Sequence, residues 1–116
     1  MSKIKIYHNP KCSKSRNTLA LLEEQGIDAE VVKYLETPPS KEELKEILSM
    51  LGLSARELMR TKEEIYKELG LKDITDEELL IDAMVANPKL IERPIVVKDG
   101  KAAIGRPIEN VINLLA

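Results

Sequence analysis

The stretch Lys3-Ile4-Lys5-Ile6-Tyr7-His8-Asn9-Pro10-Lys11-Cys12-Ser13-Lys14-Ser15 decides the fold. Polar and apolar residues alternate from Lys3 to Tyr7, the period of a strand with one buried face. His8 to Cys12, broken by Asn9-Pro10, reads as a loop. From Ser13 the period becomes helical, with Leu19 and Leu22 apolar beside Ala20 and Leu21, and Gly26 stands where a helix would end. A strand feeding a helix through a short polar loop is the opening of an α/β unit.

Working outward, Ala29 to Tyr34 is apolar and β-branched enough for a second strand, which Thr37-Pro38-Pro39 breaks. Four capping boxes follow, each Ser or Thr with Glu three places on: Ser40 with Glu43, Ser54 with Glu57, Thr61 with Glu64 and Thr75 with Glu78. The first opens a helix with Leu44, Ile47, Leu48 and Leu51 on one face, closed by Gly52. The others open short helices, the third ended by Gly70. Pro94 to Val97 then reads as a buried strand. Asp99-Gly100 is a two-residue hairpin turn, and Lys101 to Ile104 is the partner strand. Gly105-Arg106-Pro107 leads into a last helix with Pro107 at its first position. The first strand–helix–strand predicts a parallel unit, and the hairpin extends the same sheet. The expected fold is α/β: a thioredoxin-like four-stranded mixed sheet with a helical insertion, as one domain over residues 1–116.

Composition bounds the function. Of 116 residues, 43% are hydrophobic and 33% charged, enough for both a core and a soluble surface. With no Trp and no Phe, the core falls to Leu, Ile, Val, Met and Ala. No apolar run approaches the roughly 20 residues of a membrane span, and the N-terminus lacks a secretion signal, so no membrane partner is expected. The single cysteine cannot form an internal disulfide, which favours a reducing, cytoplasmic location. The net charge of −2 hides an asymmetry. Up to Leu22 there are five cations and no acid; after it, 13 cations face 20 acids. Positive charge thus gathers around Cys12, as an anionic ligand or a thiolate would require. A pI near 5.5, scarce aromatics and no long basic stripe argue against a nucleic-acid partner.

Cys12 stands at a helix start, where unpaired amides and the helix dipole favour a thiolate over a thiol. Such sites lower a cysteine pKa from about 8.5 to roughly 3.5–7.5, and the thiolate is the nucleophile. Lys11, Lys14 and Arg16 add positive field. Ser15 can donate a hydrogen bond to the sulfur. His8, the only histidine, would stabilise the thiolate if protonated or serve as a base if neutral. Cys12-Ser13-Lys14-Ser15 is a Cys-x-x-Ser variant of Cys-x-x-Cys, so any derivatised Cys12 must be resolved by an outside thiol. An inert, buried cysteine is the competing reading. A metal site is not expected, because one Cys and one His lack companions.

Tyr7-His8-Asn9-Pro10-Lys11-Cys12 with Ser15-Arg16-Asn17-Thr18-Leu19 resembles the glutaredoxin-linked bacterial arsenate reductase family. So do Tyr34-Leu35-Glu36-Thr37-Pro38-Pro39, Glu92-Arg93-Pro94-Ile95-Val96-Val97 and Gly105-Arg106-Pro107, and the resemblance covers the chain from Ile4 to Leu115. Cys-Ser-Lys-Ser with Glu57-Leu58-Met59-Arg60 looks closest to the family's arsenate reductase-like branch. The resemblance implies a thioredoxin-like fold with a helical insert, and a role in arsenic resistance. It implies that Cys12 attacks arsenate, that Arg60, Arg93 and Arg106 bind the oxyanion, and that Pro94 is a cis-proline. Guanidinium forks suit such oxygens. It further implies no bound cofactor, with glutathione and glutaredoxin as external reductants and partners.

Lys14 stands where detoxifying members carry smaller residues, which leaves the substrate open. Two rivals follow: a thiol oxidoreductase with another substrate, and a thioredoxin-fold regulator of the RNA-polymerase-binding type. Ser15 in place of a second cysteine speaks against the regulator's redox switch.

Overall fold

The computed structural model describes residues 4–116, so Lys3 of the expected first strand lies outside the described residues. The chain forms two compact units. One runs to Thr37 and resumes at Arg93; the other is Pro38–Glu92.

The first unit is a four-stranded sheet in the order β2-β1-β3-β4. Strand β1 is Ile4–Tyr7, β2 Glu30–Val32, β3 Ile95–Lys98 and β4 Lys101–Ile104. β1 lies parallel to β2 and antiparallel to β3, with Tyr7 opposite both Val32 and Ile95. β3 and β4 form the expected hairpin, and Asp99 (φ 50°) with Gly100 (φ 77°) makes its turn. Both central positions are left-handed, which only Gly and a few short polar residues accept readily. Helix α1, Ser13–Glu24, buries Ser15, Thr18 and Leu22, one stripe at helical spacing. The stripe's far end, Leu22, packs with Ile4, Ile6, Val96 and Val111 in the core, and Val111 comes from the last helix, Glu109–Leu115. The polar near end lies at the Cys12 turn. Leu22 is fully buried, so Leu22→Ala should lower unfolding free energy by about 2–5 kcal/mol, measurable by urea denaturation.

The second unit is the helical insertion between β2 and β3. It holds α2 (Lys41–Leu51), α3 (Ala55–Leu58), α4 (Glu64–Glu68) and α5 (Glu77–Ala86), so the last helix of the chain is α6. Leu44, Ile47 and Leu48 of α2 and Leu80, Ile81 and Met84 of α5 are buried. Lys41 bridges Glu78 and Asp82 of α5 at 3.0 Å each; these side chains are about half exposed and add little stability. Arg56 donates to the Tyr66 hydroxyl and to the carbonyls of Leu71 and Ile74, tying α3 to the chain around α4. The insertion's last residues return beside α3: Arg60 N–H donates to the Leu90 carbonyl at 2.7 Å, and Glu92 N–H to the Leu58 carbonyl at 3.0 Å.

Four local expectations need correction. The second strand is Glu30–Val32 rather than Ala29–Tyr34, because a turn starts at Lys33, whose carbonyl accepts the N–H groups of Glu36 and Thr37. The Ser40 and Ser54 capping boxes form, but those at Thr61 and Thr75 do not. At Thr75, Asp76 is the cap and accepts from Glu78 N–H at 2.9 Å; its carboxylate is the stronger acceptor. At Thr61, the chain turns from Arg60 to Glu63, with Glu63 N–H on the Arg60 carbonyl. Thr61 therefore sits inside a turn instead of at an extended cap position, and Glu63 becomes the N-cap. Pro107 lies before α6 rather than at its first position; its carbonyl accepts Asn110 N–H in a lead-in turn. Among the described residues, no helix is long and apolar enough to cross a membrane.

Candidate active site

Cys12 is the N-cap of α1, in extended conformation (φ −98°, ψ 123°). Its N–H donates to the Asn9 carbonyl and its own carbonyl accepts Arg16 N–H, both at 3.0 Å, so loop and helix are fastened through this residue. The loop has three further ties: Ser15 Oγ accepts Asn9 N–H at 3.0 Å, Asn9 Oδ1 accepts Lys11 N–H at 3.0 Å, and Arg16 donates to the Pro10 carbonyl at 2.9 Å. Cys12 is buried, 7% exposed, in surroundings dry enough for charge effects on its sulfur to matter.

Two arginines of the same unit act on the sulfur. Arg106 Nη2 donates to Cys12 Sγ at 3.2 Å, while its Nε donates to the Arg93 carbonyl at 2.8 Å. The Arg93 guanidinium, with Nε and Nη1 buried, exerts its own field on Cys12. Burial by itself pushes the thiol up. The Ser15 amide, the Arg93 guanidinium, the Lys14 amide and the Arg106 guanidinium outweigh it, and the thiol titrates below its ordinary value. The sign is that of an acid with a depressed pKa: the thiolate persists above the shifted value and is lost as pH falls through it. Iodoacetamide alkylation of Cys12 should therefore show a rate midpoint below the roughly 8.5 of a free cysteine. A midpoint at or above that value would mean an unactivated thiol.

His8 and Ser15 enter differently from the sequence expectation. His8 is buried, and its Nδ1 is hydrogen bonded to the Ser15 hydroxyl at 2.6 Å. Burial, with the charges of Lys33 and Arg16, pushes its pKa down, so the ring is neutral at pH 7. Its influence on Cys12 passes through Ser15 and the loop. The Ser15 hydroxyl is engaged with His8 and Asn9, and it is the Ser15 amide that favours the thiolate. Arg60 belongs to the helical unit. There it pairs with Glu63 Oε1 at 2.9 Å, and its Nε lies 3.8 Å from Glu92 Oε1. The Arg93–Pro94 peptide is cis, as the resemblance implied, and Arg106–Pro107 is cis as well. Among the described residues, no three His, Cys, Asp or Glu side chains group as metal ligands would.

Sequence reasoning missed Asn9 and Arg16 as fasteners of the loop, and Glu63 and Glu92 as partners of Arg60. The Asn9-Pro10 turn signal was available for the first; nothing in the spacing pairs Glu92 with Arg60.

Among known proteins, the model of the ArsC family matches residues 7–114. The chain belongs to the ArsC family. It is 59% identical to an arsenate reductase of Neisseria meningitidis serogroup A, covering 96% of this chain and 97% of that protein. It is 61% identical to the uncharacterized protein YfgD of Escherichia coli K12, covering 97% and 96%. The solved structure of an arsenate reductase from Vibrio cholerae superposes with a TM-score of 0.93 at 59% identity, covering 96% of each chain. The thioredoxin-like sheet with its helical insertion is thus the ArsC fold.

Proposed function

We propose that this ArsC protein is an arsenate reductase in which the Cys12 thiolate attacks arsenate, with glutathione and glutaredoxin as external reductants in the cytoplasm. The observation that carries the reading is the Arg106 guanidinium, 3.2 Å from a sulfur whose pKa is depressed. A cation in that position holds the thiolate before the reaction and meets the incoming oxyanion during it. The names of the relatives supply arsenate as the oxyanion. Arg93 and Arg106, with Arg60 added by the family resemblance, form the proposed anion-binding set. His8 and Ser15 hold the loop that presents the thiolate.

The chemistry balances in four steps. Cys12 sulfur bonds to arsenic and one arsenate oxygen leaves as water, so arsenic stays at +5. The glutathione thiol displaces a second oxygen, also as water. The glutaredoxin thiol then attacks the glutathione sulfur, forming a mixed disulfide, and the As–S bonding pair remains on arsenic, which becomes +3. Water replaces Cys12 and arsenite departs. No second cysteine is present to resolve the adduct internally.

The test is an NADPH-coupled assay with arsenate, glutathione and glutaredoxin. Turnover that needs all three supports the reading. No arsenate turnover, together with a low Cys12 alkylation midpoint, would assign the thiolate to a different substrate.

A further inference from the structure

Beyond Cys12 and its arginines, the segment carrying Arg106 makes an unusually close approach. A Cβ placed on Gly105 would lie 2.6 Å from Thr18 Oγ1 and 2.8 Å from Pro94 Cγ. Neither neighbour yields easily. The Thr18 side chain is fully buried, with its hydroxyl donating to the Lys14 carbonyl one turn back in α1. The Pro94 ring is a rigid, buried group. Interiors are packed densely enough that such an overlap moves backbone rather than one side chain.

The same segment is hydrogen bonded in step with its partner. Ile104 pairs with Ile95 in the hairpin, Gly105 N–H donates to the Pro94 carbonyl at 2.9 Å, and Arg106 Nε donates to the Arg93 carbonyl at 2.8 Å. The missing side chain at 105 lets this series run up against α1, and the next residue then reaches the sulfur at the head of that helix.

We propose that Gly105 is a positioning residue: its lack of a side chain sets the distance between the Arg106 guanidinium and the Cys12 sulfur. The proposal rests on Cys12 being the reacting atom, and not on arsenate being its substrate.

Gly105→Ala tests it through two readouts. Alkylation of Cys12 at pH 7 should slow by about three- to tenfold, since a rising pKa removes thiolate while part of the loss is offset by a more nucleophilic sulfur. Reduction kcat/KM should fall by about ten- to a hundredfold, the usual size for a displacement near 1 Å at a reacting centre. In an Arg106→Gln background, Gly105→Ala should slow alkylation far less, because the side chain it displaces is already gone. Equal slowing in both backgrounds would mean a general packing role and would overturn the proposal. If Gly105→Ala does not fold by circular dichroism, Thr18→Ala/Gly105→Ala relieves the contact with α1 and is read instead. A folded variant with wild-type alkylation and wild-type kcat/KM overturns the proposal, as does failure of both variants to fold, which would give the glycine to the fold alone. Because alkylation needs no oxyanion, a wrong substrate assignment leaves this test intact.

Discussion

Replacing Cys12 with alanine should abolish arsenate reduction, with kcat falling by on the order of 10⁴-fold or more, the scale seen when a covalent nucleophile is removed. The expectation is strict because Cys12 is the only cysteine and every step of the proposed cycle passes through a bond to its sulfur. The fold should survive. At the head of α1 alanine removes the sulfur's interaction with the Ser15 and Lys14 amides, while the loop bonds through the Cys12 amide and carbonyl remain. Circular dichroism and thermal melting close to wild type would separate lost chemistry from lost structure. Undiminished turnover in a folded Cys12→Ala protein would end the thiolate mechanism.

Arg93→Ala should lower kcat/KM for arsenate by about 10²–10³-fold, the usual cost of removing one preorganised oxyanion donor. The charges of Arg93 and Arg106 both favour the Cys12 thiolate, and Arg106 Nη2 also donates to the sulfur. The Arg93→Ala variant keeps the main-chain carbonyl that holds Arg106 Nε, so the loss reports on the guanidinium itself. Two changes should appear together: a higher alkylation midpoint for Cys12, because a favourable charge has gone, and a higher KM for arsenate. A raised midpoint with unchanged KM would restrict Arg93 to tuning the thiolate.

Local signals carried much of this architecture. Alternation at Ile4–Tyr7, the break at Asn9-Pro10 and the helical period from Ser13 placed Cys12 at a helix start, where the structure has it. Asp99-Gly100 turned as its dihedral needs required. The misreadings arose where a nearby group competed with a local pattern. Thr75 lost the cap to Asp76, one residue on, and Thr61 lost it to a turn held by Arg60 and Glu63. The site was legible in part. Charge around Cys12 pointed to a thiolate, but the approach of Arg93 and Arg106 depends on hairpin register, which spacing along the chain does not encode. His8 was visible as a neighbour; its neutral state follows from burial and from Lys33, a residue the loop reading had no reason to include.

The β3–β4 hairpin has one further consequence. Arg93 and Arg106 flank its open end, whereas Asp99 and Gly100 sit at the closed tip, exposed to solvent. The tip is thus the permissive place to graft a peptide tag, attach a dye or cut and rejoin the chain. Dropping a single residue from β4 would do the reverse, sliding the ladder by one and turning each following side chain to the opposite face. A fluorophore at the tip could then follow reductant docking without disturbing the machinery at the other end.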